Sequence, residues 1–72
     1  MPLTMVNRGE EVKIVSINGK DETKRFLENL GFVVGTTISI VSELAGNVII
    51  SVKDTRVAIN KSMAMRIITT KA

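Results

Sequence analysis

Asp21-Glu22-Thr23-Lys24-Arg25-Phe26-Leu27-Glu28-Asn29-Leu30-Gly31 is the one stretch of this chain that reads as a convincing helix. Asp21 suits the N-cap, because a carboxylate can accept from the free amides of the first turn. Glu22 follows where negative charge favours the helix dipole. Gly31 is a natural stop, since glycine enters the left-handed region without a Cβ clash. At ~100° per residue, Phe26, Leu27 and Leu30 share one arc, whereas Lys24, Arg25, Glu28 and Asn29 share the other. The stretch therefore predicts a helix with an apolar inner face and a charged outer one.

Outward from it, the chain reads as strands. Glu11–Ile17 (EVKIVSI) has Val12 and Ile14 on one face but Val15 and Ile17 on the other. That break in alternation predicts a bulge or burial on both sides. Asn18-Gly19 then turns the chain into the helix. Beyond Gly35, Thr36–Ser42 is rich in β-branched residues. Ala45-Gly46-Asn47 is a turn, and Val48–Val52 places Val48, Ile50 and Val52 on one face. Lys53-Asp54-Thr55 is a second turn, followed by a strand at Arg56–Ile59. Asn60 or Ser62 can cap a single helical turn before a closing strand, Arg66–Thr70. At the other end, Leu3 and Val6 can anchor a short turn over the core, with Pro2 at its start. Five short strands with tight turns predict a mainly β fold with one short helix, closed as a small five-stranded barrel. Closure would also remove the strand edges that so many Ile and Val residues make prone to pairing.

Seventy-two residues accommodate one domain, residues 1–72. There is no Cys and no His, so neither a disulfide nor a structural zinc of the usual kind can reinforce it. Aliphatic packing must carry the core, anchored by the two aromatic residues, Phe26 and Phe32. The net charge of +3 is uneven: residues 1–34 balance five bases against five acids, so the whole excess falls in residues 35–72. No apolar run approaches the length of a membrane span, and the N-terminus lacks a signal-peptide pattern. The expectation is a cytoplasmic protein without direct membrane insertion.

The same census narrows the function. Nucleophile–base pairs built on His or Cys are excluded, and no P-loop spacing occurs. An enzyme is not expected, nor is a cofactor. Glu10-Glu11 and Asp21-Glu22 are carboxylate pairs, but neighbouring carboxylates are ordinarily solvated. Met63 and Met65 read as core filling before they read as thioether ligands. No metal site is expected. Single-strand nucleic-acid binding wants exposed aromatic platforms, and Trp and Tyr are absent. What remains is Leu30-Gly31-Phe32-Val33-Val34-Gly35, in which two glycines bracket three large apolar residues. Either Phe32 and Val34 pack under the helix, or Phe32 or Val33 stays exposed as part of a partner-binding patch. The candidate binding surface is Lys24, Arg25, Glu28, Asn29, Phe32 and Val33. An aliphatic strand edge could also support weak self-association.

The order and spacing of these pieces resemble the FeoA family. Leu3, Val6 and Gly9-Glu10 look like its opening; Val12, Ile14 and Ile17 match its first strand. Arg25, Leu27, Leu30-Gly31-Phe32 and Gly35 look like its helix and the glycine-rich exit. Val57-Ala58-Ile59, Ala64 and Ile67 follow its closing pattern. Arg8, Phe32, Val34 and Asp54 depart from it, at positions that shape loops. The resemblance implies an SH3-like barrel and a cytosolic partner of FeoB, a membrane transporter with a GTP-binding domain. The same fold is also the C-terminal domain of metalloregulators of the diphtheria-toxin-regulator type. That relation keeps a metal- or ligand-responsive regulatory module as the alternative, with a nucleic-acid-binding small barrel as the third reading.

Overall fold

The computed structural model describes all 72 residues. A 3-10 turn, Leu3–Met5, precedes strand β1 (Glu11–Ile17), helix α1 (Asp21–Asn29), strands β2 (Thr37–Leu44), β3 (Asn47–Val52) and β4 (Thr55–Asn60), a short helix α2 (Lys61–Ala64), and strand β5 (Ile67–Lys71). The strands form one antiparallel sheet in the order β4-β3-β2-β1-β5.

The expected barrel closure is absent, because the terminal strands β4 and β5 do not pair. Four-residue α2 joins them instead, and the outer edge of β5 is met by the N-terminal residues. Pro2 bridges Ile68, and the Thr69 amide and hydroxyl both donate to the Met1 carbonyl, at 2.7 and 2.8 Å. The sheet is therefore protected at one edge and open at the other.

The broken alternation in β1 is a bulge. Its pairing with β5 shifts between Ile14 and Ser16, which turns Val15 outward while Val12, Ile14 and Ile17 stay buried. A second shift falls in β2, between Ile40 and Ser42. Bulges of this kind bend a strand and increase its twist. The core collects Val12 and Ile14, Ile38 and Ile40, Val48, Ile50 and Val52, Ile59 and Ile67 from the sheet. Leu3 and Val6 close over one end, as their spacing predicts, and Ala64 joins them from α2. Asn60 caps α2, its Oδ1 accepting from the Met63 amide at 2.8 Å.

Helix α1 is rotated and started differently from the sequence expectation. Asp21 is its first residue and not its cap; Lys20 stands at the N-cap without a side-chain hydrogen bond. Asp21 and Glu22 still place two negative charges in the first turn, where the dipole favours them. Of the predicted apolar face, Leu27 is fully buried and Leu30 partly so, but Phe26 is 49% exposed.

Candidate binding surface

The position of α1 is dictated by what ties its two ends. Before it, the Asn18 amide donates to the Arg66 carbonyl at 2.7 Å. After it, the Gly35 amide donates to the Ile14 carbonyl at 2.8 Å, and the Ile14 amide donates to the Thr36 carbonyl at 3.0 Å. The chain thus leaves the end of β1, makes the helix, and returns to the middle of the same strand. The return brings Val34 beside the outward-turned Val15.

Within the return, Gly31 has φ +105°, and a Cβ there would stand 3.4 Å from a Val52 methyl. The Gly31 amide donates to Glu28 and the Phe32 amide to Leu27, so the last turn is closed by backbone bonds. This reversal aims the Phe32 side chain inward. Phe32 is wholly buried, the largest such side chain in the protein, and belongs to the core. It is removed from the candidate surface for that reason. Its predicted partner in burial, Val34, is instead 61% exposed, and Val33 is 38% exposed.

Lys24, Arg25, Glu28 and Asn29 are all exposed along the outer side of α1. The structure brings two of them, Lys24 and Glu28, together with Val15, Ser16, Ile17 and Val34 around an open groove of about 300 Å³ between the helix and β1. Val15 is 43% exposed there. Sequence reasoning missed Val15 and Val34 as surface residues. The signal for Val15 was present, since a bulge inserts one residue that need not point into either face.

The groove has apolar walls and one charge of each sign at its rim. Such a surface suits recognition of a partner side chain flanked by polar groups. Nowhere do three or more Asp and Glu residues converge as a potential metal cage. Glu10 serves a local purpose: its Oε1 accepts from the Asn7 amide at 3.3 Å, bracing the loop before β1. No helix is long and apolar enough to cross a membrane.

An open five-stranded antiparallel sheet, with a helix inserted between its first two strands and a helical turn before its last, defines a small SH3-like β domain. Comparison with known proteins makes the assignment specific. The FeoA domain model matches residues 1–71, and the chain belongs to that family. It is 32% identical over 66 residues to a candidate Fe(2+) transport protein A of Methanocaldococcus jannaschii, covering 92% of this chain and 80% of that one. The crystal structure of an iron uptake regulatory protein, FeoA, superposes with a TM-score of 0.90 at 33% identity, covering 100% of this chain and 96% of the other. The zinc-complexed FeoA of Stenotrophomonas maltophilia, described as a prokaryotic SH3 domain protein, gives 0.84 at 25% identity over 97% and 89%. The whole chain also matches 34% of the longer IdeR of T. acidophilum, with a TM-score of 0.88 at 25% identity. The unit thus stands alone in some proteins and forms part of a larger chain in others. The family is associated with ferrous iron transport.

Proposed function

We propose that this protein is a non-enzymatic accessory of ferrous iron uptake that docks on the cytoplasmic, GTP-binding part of a FeoB-type transporter. The groove between α1 and β1 is the docking surface, with Lys24, Arg25, Glu28 and Asn29 beside it and Val33 and Val34 at its end. The observation that carries this reading is the exposure of Val15 and Val34 next to Lys24 and Glu28. A bulge and a glycine-bracketed return turn these two valines partly to solvent, although completing their burial would stabilise each by roughly 0.5–1 kcal/mol. The FeoA relatives support the transport setting; that of S. maltophilia is described as a candidate ferrous iron transport activating factor.

The test is a calorimetric titration of the FeoB cytoplasmic domain with wild-type protein and with Val15→Asp and Lys24→Glu combined. Both positions are exposed, so the variant keeps its fold, which circular dichroism checks. Binding is expected to fall at least tenfold, about 1.4 kcal/mol. Equal binding by the folded variant would reject the groove as the docking surface. Absence of binding by the wild type would reject the partner.

A further inference from the structure

The open edge of the sheet is β4, and its hydrogen-bonding parity follows from the turn that precedes it. Val52 and Thr55 pair across the two-residue turn Lys53-Asp54, so they are a hydrogen-bonded pair. The register runs without a bulge to Asn47↔Asn60. Thr55, Val57 and Ile59 therefore spend their backbone groups on β3. Arg56 and Ala58 direct theirs away from the sheet, and both residues are exposed. No loop or turn segment hydrogen-bonds to either of them. Two N–H and two C=O groups are left to face outward along one strand, in the arrangement that templates another strand.

We infer that β4 pairs with β4 of a second copy of this chain, antiparallel about a two-fold axis at Val57. In that register Arg56 stands opposite Ala58 of the other copy, and the reverse, so all four outward groups on each copy find partners in four hydrogen bonds. Charge disfavours the register centred on Arg56, which would set two guanidinium groups directly opposite each other, and the register centred on Ala58 would rely on Asn60, the last strand residue and the cap of α2. The register centred on Asn60 runs out of strand, because α2 begins at Lys61. On the inner face Val57, only half-buried, meets its own copy, and Thr55 meets Ile59. Beside them lies a groove of about 190 Å³ bounded by Phe26, Ala58, Ile59, Asn60 and Met63. This gives the half-exposed Phe26 an apolar strand to cover. The pairing is closed: Met1 and Pro2 occupy the β5 edge, so a dimer has no second edge on which to extend. The inference does not depend on the transporter reading, whose groove lies against β1.

Sedimentation equilibrium over about a hundredfold concentration series tests it, with three proteins. Wild type is expected to rise from its 7.9 kDa monomer towards twice that mass. Ala58→Glu places a carboxylate opposite the other copy's Arg56 at two symmetric positions and is expected to tighten the dimer roughly two- to thirtyfold. Ala58→Lys is expected to weaken it by a similar factor. Concentration-dependent amide protection at Arg56 and Ala58, and not at Val57, is the accompanying signature. A wild type that stays monomeric throughout overturns the inference. So does a dimer indifferent to both substitutions, or one that Ala58→Glu weakens.

Discussion

Phe32→Ala separates a core residue from a docking residue. Phe32 is fully buried in the core, and its amide closes the helix end on the Leu27 carbonyl at 3.0 Å. Truncating a buried Phe costs about 3–5 kcal/mol, from lost burial and the cavity left behind. A domain of this length has a total stability of roughly 4–11 kcal/mol. The substitution therefore removes something near half of it. At about 4–8 °C per kcal/mol for a small domain, the midpoint should fall by at least ~12 °C. Thermal and urea denaturation followed by circular dichroism measure this directly. The urea slope should stay constant while the midpoint moves. Val33→Ala is the control, expected to change stability by no more than about 0.5 kcal/mol at its partly exposed position. A Phe32→Ala protein that melts within ~4 °C of wild type would refute the burial argument. It would return Phe32 to the docking surface.

Substitutions at three further sites probe the local chemistry by the same denaturation assay. Lys53 and Asp54 both adopt left-handed backbone, φ 51° and 62°, in the β3–β4 hairpin. Lys53→Asn with Asp54→Gly should stabilise by about 1 kcal/mol or more, since Asn-Gly is the pair this turn favours; a lower midpoint would show the turn is not strained. Gly31→Ala should destabilise by about 1–2 kcal/mol, because φ +105° is hostile to a side chain and Val52 stands against it; an unchanged midpoint would contradict this. Asn60→Ala should cost about 1 kcal/mol by releasing the Met63 amide at the start of α2, and Asn60→Asp should largely preserve the cap. Equal losses in the two variants would point away from capping.

Much of the fold was legible because it is written in short-range chemistry. The bounds of β1, Glu11–Ile17, follow from its β-branched run, and its bulge from the broken alternation. The hairpin turns, the Asn60 cap and the exposed run Lys24, Arg25, Glu28 and Asn29 follow from neighbouring residues in the same way. Asp21 was harder, because Lys20 and Asp21 can each begin the helix and the capping bond that would decide between them does not form.

The sequence by itself determined the element order, the mainly aliphatic character of the core and the poverty of catalytic side chains. Tertiary structure alone decided which apolar residues that core accepts. Phe26, Leu27, Leu30, Phe32, Val33 and Val34 compete for the space under one short helix, and periodicity allows several choices. The ties of Asn18 to Arg66 and of Gly35 to Ile14 set the helix against β1. That placement admits Leu27 and Phe32 and turns Phe26 and Val34 out. Whether the sheet closes was equally beyond local pattern, since it depends on how far β4 and β5 end up apart. With the N-terminal residues taking the outer edge of β5, β4 is the edge left unpaired.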